Sequence, residues 1–211
     1  MSVAALYDIH GNLAALEAVL AEVPEDATIV VGGDVVAAGP QPAEVLERLR
    51  GLGDRVRWLR GNVDRELDPD EEGLAPRDML DETRARLSAE QISFLHELPP
   101  TVQIERVLYV HASPRNDMDI FTEQTPDERI AFLFEHLDAD VVVCGHTHMQ
   151  FDRTIGGIRV VNAGSVGMPY EDEPGAYWLL DLEHRRTAYE GGPVSSMTRE
   201  EALRVFTEHG L

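Results

Sequence analysis

Cysteine is almost absent from this 211-residue chain, which carries one, Cys144. A lone cysteine excludes an intramolecular disulfide, and its place in an apolar run points to a buried structural thiol. Basic residues are also scarce: 18 Lys and Arg face 39 Asp and Glu, giving a net charge of −21 and a pI near 4.6. That balance argues against a large nucleic-acid partner, which needs a basic footprint. The acid runs Asp68–Glu72 and Glu171–Glu173 are expected to face solvent and aid solubility. No stretch approaches the ~20 apolar residues of a membrane span. The segment Met1–Asp8 lacks the basic region and apolar run of a signal peptide. A cytoplasmic location with no membrane contact is the resulting expectation. There is no internal repeat, long linker or low-complexity tract. With 43% apolar residues the chain can bury a sizeable core, and a single domain over 1–211 is expected. A homo-oligomer is left open.

Val3–Tyr7 reads as a buried strand that ends at Asp8-Ile-His10. Leu13, Leu16, Leu20 and Val23 then recur at helical spacing, with Asn12 as a plausible N-cap. Thr28–Val31 is a second strand and ends in Gly32-Gly33-Asp34; a helix follows from about Pro42 to Leu49. Arg55–Leu59 is a third and runs into Gly61-Asn62-Val63-Asp64. Repeated strand and helix of this kind predict a mostly parallel sheet with helices outside it. Arg77–Arg86 and Ser88–Leu98 are predicted helices, the second carrying a half-exposed His96. Thr101–Ile104 and Val107–Val110 form a predicted hairpin whose second strand ends at His111. Thr125 is expected to cap a helix reaching about Leu137, with Pro126 at its first position and Glu128 completing a capping box. Val141–Cys144 is an unbroken β-branched run followed by Gly145-His146-Thr147-His148. Beyond it, Phe151–Ile155 and Ile158–Val161 flank Gly156-Gly157, a hairpin signal. Ala176–Asp181 and Arg185–Tyr189 make another strand pair, and a last helix spans about Thr198–Glu208. The second half therefore reads as antiparallel, a second sheet packed on the first.

The strand ends hold the chemistry. Asp8, His10, Asp34, Asn62, Asp64, His111, His146 and His148 all follow apolar strands, most beside a glycine. Each alone is compatible with a capping Asp, a turn Asn or a core His. Five such strand ends in one chain are hard to explain that way. Imidazole mixed with carboxylate suits Zn, Mn, Fe, Co or Ni rather than Ca or Mg. The donors are too many for one four-coordinate ion. They suit two ions roughly 3.5–4 Å apart under a bridging carboxylate, an arrangement that clamps phosphate and activates water.

Asp8-Ile-His10, Gly33-Asp34, Gly61-Asn62-Val63-Asp64, His111 and Gly145-His146-Thr147-His148 resemble, in type and order, the signature of the calcineurin-like metallophosphoesterases. The resemblance covers about Val3 to Asp181. Small size and the loop Asn162-Ala-Gly164-Ser165-Val-Gly167 resemble its compact YfcE-like branch. The resemblance implies an α/β fold, a four-layer αββα sandwich of two mixed sheets flanked by helices. It also implies that Asp8, His10 and His148 hold one metal, that Asn62, His111 and His146 hold the other, and that Asp34 bridges them. Two divalent transition-metal ions are implied, manganese first, with iron, zinc, nickel or cobalt as alternatives.

One position departs from the pattern. Val63 stands where the family usually carries a histidine that protonates the leaving group or steadies the phosphate. General acid catalysis typically contributes about 10²–10⁴-fold, so its loss weighs on alkoxide leaving groups and little on acidic ones. The expected activity is hydrolysis of phosphodiesters or activated phosphate esters, with a small phosphate ester as substrate. Asp64 either orients a neighbouring group or caps the next turn. Arg65 and Arg115 follow proposed ligands and, with Asn62, are candidates for phosphate contacts; the alternative for the two arginines is a surface ion pair. Gly164-Ser165 either offers N–H groups to an oxyanion or makes a tight turn. His136, His184 and His209 lie away from strand ends and are expected to be exposed. Two rival readings stand beside the first: a non-catalytic scaffold on the same fold, and a dedicated nucleotide or dinucleoside polyphosphate hydrolase.

Overall fold

The structure, a computed structural model, describes residues 2–73 and 75–211. β1 (Val3–Leu6), β2 (Thr28–Val31) and β3 (Val56–Trp58) run parallel, with α1 (Leu13–Glu22) and α2 (Pro42–Arg50) as their crossovers. α1 begins where expected, because the Asn12 side chain accepts the Ala15 N–H at 3.1 Å. The chain continues through α3 (Asn62–Glu66), α4 (Arg77–Arg84) and α5 (Ala89–His96) to the hairpin β4 (Thr101–Ile104) and β5 (Val107–Val110). α6 (Asp127–Ile130) and a 3₁₀ turn (Ala131–Phe134) lead into β6 (Val141–Cys144). The hairpins β7 (Phe151–Ile155)–β8 (Ile158–Asn162) and β9 (Ala176–Leu180)–β10 (Glu183–Thr187) follow, and α7 (Arg199–His209) comes last.

The strands fall into two five-stranded sheets, ordered β10-β9-β1-β2-β3 and β4-β5-β6-β8-β7. Both are mixed: in the first, β1, β2 and β3 are parallel and β9 and β10 add antiparallel on one side, and in the second a parallel centre of β5, β6 and β8 has antiparallel edges β4 and β7. Side-chain alternation explains why they stack. Ala5, Tyr7 and Val30 of the first sheet meet Tyr109, Val143 and Val161 of the second in a shared core. The intervening residues point the other way. Ala4, Leu6, Ile29 and Val31 pack against α1 and α2, and Val142, Cys144 and Val160 pack against Ile130, Leu133 and Phe134. Strands buried on both faces read as continuous apolar runs. The result is helix, sheet, sheet, helix: the expected four layers, the outer layer over the second sheet being short. Tyr7 also donates its hydroxyl to the Val143 carbonyl at 3.1 Å, bonding the sheets across their interface.

Some expectations change. The second half is not simply antiparallel: β5, β6 and β8 run parallel, and β9–β10 returns to the first sheet, with Ala4 and Ala5 opposite Leu180 and Leu179. The helix expected from Thr125 to Leu137 is one turn from Asp127 followed by 3₁₀ backbone to Phe134. No capping box forms, because the Thr125 hydroxyl accepts the Thr122 N–H behind it. The acid runs are not wholly solvated either: Glu71 pairs with Arg65 at 3.1 Å, and Glu171 pairs with Arg199. No helix among the described residues is long and apolar enough to cross a membrane.

Candidate metal centre

The carboxyl ends of β1, β2, β3, β5 and β6 converge on one point, the crevice where open α/β sheets bind ligands. Five of the seven expected ligands turn there with left-handed backbone: Asp8, His10, Asp34, His146 and His148 have φ between 49° and 65°. Non-glycine residues rarely adopt that conformation, and such strain collects at functional sites. Glycine permits the crowding. Gly33 has φ 88°, and a Cβ there would overlap the Gly61 backbone and lie 2.8 Å from His111 Nδ1. A Cβ on Gly145 would lie 2.5 Å from Asp8 Oδ2.

Two groups of donors result: Asp8, His10 and His148, and Asp34, His111 and His146, with the ligand atoms of each group within 4.8 Å of one another. Three of the imidazoles are held the same way. Nδ1 of His10 donates to the Ala37 carbonyl at 2.9 Å, that of His111 to Gly32 at 2.9 Å, and that of His148 to Met168 at 2.8 Å. These bonds fix the tautomer and aim each Nε2 inward, as the outer partners of metal-bound histidines do. Asp8 Oδ2 accepts the His146 N–H at 2.9 Å, while Oδ1 is buried without a hydrogen-bond partner and lies 3.3 Å from His148 Nε2. Asp34 divides likewise. Oδ1 accepts the Val63 N–H at 2.9 Å, and Oδ2 faces both groups. Asn62 donates to Glu66 Oε1 at 2.9 Å, which turns its Oδ1 toward His111 Nε2 at 3.2 Å. Carboxylate, amide and imidazole donor atoms converge on one buried space, and a cation satisfies them; the residues fit a metal pair.

Electrostatics agree. Burial disfavours a charged Asp34, but His111 and His10 outweigh it and hold its carboxyl well below the usual range. Burial also works against charge on His111, yet the Asp34 and Asp8 carboxylates raise it to about 10. His146 is driven down to about 4 by burial and by His111. The buried Cys144 thiol is pushed up by desolvation, as an inert structural group would be.

Asp64 takes both roles left open for it. Its Oδ2 accepts the N–H groups of Asp34 at 2.8 Å and Gly61 at 3.0 Å, and its Oδ1 accepts that of Val35 at 3.0 Å. It therefore caps α3 and also pins the Asp34 backbone. Burial and the Asp34 charge raise it to about 7, against the pull of its N–H partners. Glu66, buried and also bonded to the Ala75 N–H at 2.8 Å, was missed in the sequence. The signal was its i,i+4 spacing from Asn62.

Other candidates are placed as follows. Arg65 forks onto Asp117 at 2.9 and 3.2 Å, and Arg115 pairs with Asp119. Both line a cavity of about 320 Å³ beside His111, together with Arg60. Ser165 is buried and donates to the Asp8 carbonyl at 2.7 Å, while the Gly164 N–H bonds Asn162 at 2.9 Å, a turn. Asn12 caps its helix, and its amide reaches Gly167, Tyr189 and Gly192 rather than the donors. His136 and His184 are exposed, and His96 is half-exposed beside Glu71. His209 is exposed too, yet it lines a second cavity of about 400 Å³ whose floor is His10, Asp34, Asn62, His146 and His148. Val63 forms part of its wall.

Residues 1–185 match the calcineurin-like phosphoesterase superfamily domain. The phosphodiesterase YfcE of Escherichia coli strain K12 is 30% identical over 190 residues, 82% of this chain and 84% of that protein. The symmetrical bis(5′-nucleosyl)-tetraphosphatase of Pectobacterium carotovorum subsp. carotovorum strain PC1 is 32% identical over 133 residues, 59% of this chain and 47% of that protein. The chain thus spans about half the length of that relative. The crystal structure of a metallophosphoesterase from Sphaerobacter thermophilus superposes with a TM-score of 0.75 at 25% identity, covering 90% of each chain. The two stacked sheets and the strand-end motifs are those of the family whose domain is matched, and the chain belongs to the calcineurin-like phosphoesterase superfamily.

Proposed function

We propose that the chain is a dinuclear metal-dependent phosphoesterase that hydrolyses phosphodiesters or activated phosphate esters. One observation carries the reading: Asp34 Oδ2 lies 3.9 Å from His10 Nε2 and 3.5 Å from His111 Nε2, within reach of both donor groups. In this reading Asp8, His10 and His148 hold one ion, Asn62, His111 and His146 hold the other, and Asp34 bridges. Two ions in that site supply positive charge for the phosphoryl oxygens and an acidified water for in-line displacement. Manganese is the first choice, with iron, zinc, nickel or cobalt also suited to the donors.

The chain's own residues set the rest. The Glu66 carboxylate orients Asn62, and Asp64 fixes the Asp34 backbone. Val63 has no proton to give, so the leaving group departs on its own acidity. Arg65 and Arg115 take phosphate only by exchanging it for Asp117 and Asp119, which makes them subsidiary contacts. A small phosphate ester is the substrate, and a cytoplasmic site of action fits the single buried thiol.

The test is elemental analysis of the protein as isolated, followed by manganese replacement and a panel of aryl and alkyl mono- and diesters. Two bound ions with turnover of activated esters support the reading. Two bound ions with no turnover overturn it in favour of a scaffold. Preference for a dinucleoside tetraphosphate over every other substrate would instead support the reading that similarity to the tetraphosphatases favours.

A further inference from the structure

Part of the wall of the cavity of about 400 Å³ above the donors lies outside the matched family domain. The match ends at residue 185, and α7 begins at Arg199. Val205 and Phe206 of α7 line the cavity with Val63, Met79, Met168 and Tyr170. Outside the proposed metal ligands, His209 is the one ionisable imidazole or charged side chain among the described lining residues. The wall is built rather than draped. Tyr170 stacks on His148 with ring centroids 4.9 Å apart and an interplanar angle of 22°, and Phe206 packs on Tyr170 at 6.1 Å. Ala202 is fully buried in the same cluster. Both ends of α7 are fixed. Thr198 caps it with Glu201, Arg199 pairs with Glu123 and Glu171, and the Leu211 N–H donates to the Ile120 carbonyl at 2.9 Å.

We infer that α7 is the specificity element of this enzyme, and that Phe206, Val205, Met79 and Val63 hold an uncharged apolar ester group, an aryl ring or branched alkyl, on the phosphorus to be attacked. The inference rests on the phosphoesterase reading and names its substrate class. Three observations support it. Ligand pockets bind by apolar walls with a few placed polar groups, and here the polar groups are the metal donors on the floor. A dry cavity of about 150 Å³ holds one benzene ring, so this volume has room for a ring together with its phosphoryl group. Val63 contributes twice: it removes the proton donor, which a phenol-type leaving group does not need, and it adds the methyl groups such a ring packs against. The contrast with the cavity beside His111, lined by Arg60, Arg65 and Arg115, gives the site one apolar and one polar side.

The experiment compares the metal-loaded full chain with Phe206→Ala and Met79→Ala, which sit on separate elements, and with Glu208→Ala on the exposed face of α7 as control. The readout is the ratio of kcat/KM for a 4-nitrophenyl diester to that for a methyl diester, alongside calorimetric binding of phenylphosphonate and methylphosphonate. The aryl-to-methyl ratio should fall about tenfold or more in the first two variants, the scale of discrimination in apolar pockets, and hold in the control. Phenylphosphonate should bind more tightly than methylphosphonate to the unaltered protein and lose that margin in Phe206→Ala. Equal changes on both esters, no phosphonate margin, or tighter binding of AMP than of phenylphosphonate would overturn the inference. Absence of turnover on any ester overturns the phosphoesterase reading alone, because the phosphonate comparison still decides what the cavity holds.

Discussion

His10 Nε2 and His148 Nε2 face each other across 3.3 Å, each on a ring whose Nδ1 bonds a backbone carbonyl. With the protons on Nδ1, two lone pairs confront one another beside the unpartnered Asp8 Oδ1. That arrangement is unfavourable until a cation enters it, so metal binding should stabilise the fold. Free manganese at about 100 times its Kd adds about 2.7 kcal/mol, which for a chain of this size raises Tm by roughly 5–10 °C. Chelator should reverse the rise, and His148→Ala should remove about one ion per chain by elemental analysis. A Tm indifferent to both would sink the metal assignment.

Metal affinity should climb with pH. His111 is held up to about 10 by Asp34 and Asp8, so its proton stabilises the metal-free fold at neutral pH and is lost only as pH rises through that value. His146, held down to about 4, is already neutral and has no proton to give up. A metal at Nε2 of His111 must therefore displace a proton. Near neutral pH the affinity should rise up to about tenfold per pH unit, with roughly one proton released from His111. Calorimetry in buffers of different ionisation enthalpy counts the protons, and a count independent of His111→Asn would contradict the argument.

The donors of the candidate centre were legible because buried parallel strands write themselves as unbroken apolar runs, and a polar residue just past such a run has one place to go. Asp8, Asp34, His111 and His146 were all found that way. The partner of β9 was not legible, because Ala176–Leu180 is an unbroken apolar run that suits an inner position in either sheet. Its place is decided by Ala4 and Ala5, small enough to take Leu180 and Leu179 opposite them. The short helix α3 was hidden too, since its five residues show no period, and with it the Asn62–Glu66 bond. α7 was found as a helix over about Thr198–Glu208, but its sequence does not say what its apolar face covers.

Asp64 ties the second strand end to the third, and exchanging one of its acceptor oxygens for an amide nitrogen should loosen both. Asn in its place offers one acceptor oxygen and turns an amide N–H toward a backbone N–H, leaving at least one buried donor unsatisfied. That costs about 1–3 kcal/mol, so Asp64→Asn should lower Tm by roughly 3–10 °C. Because Asp34 shifts with its backbone, metal affinity should also weaken, on the order of 10–100-fold as for other outer partners of ligands. Thermal melts with and without manganese separate the two effects. A loss of Tm with metal affinity intact would show Asp64 to be only a cap.

Val63→His restores a proton donor where the family usually has one, and the outcome depends on the leaving group. The Val63 backbone N–H already bonds Asp34 Oδ1, so the substitution need not disturb Asp34. The side chain is buried in the cavity wall, with 6% exposure, and the larger imidazole has to be taken up by the open space above the donors. An alkoxide needs a proton as it departs and a nitrophenolate does not. Turnover of alkyl esters should therefore rise by about tenfold or more, within the 10²–10⁴ limit of general acid catalysis, while turnover of 4-nitrophenyl esters changes little or falls as apolar wall is lost. The slope of log kcat/KM against leaving-group pKa should flatten, and the alkyl-ester rate should fall again at high pH as the new imidazolium loses its proton. Parallel gains or losses across the whole series would place position 63 away from the departing oxygen.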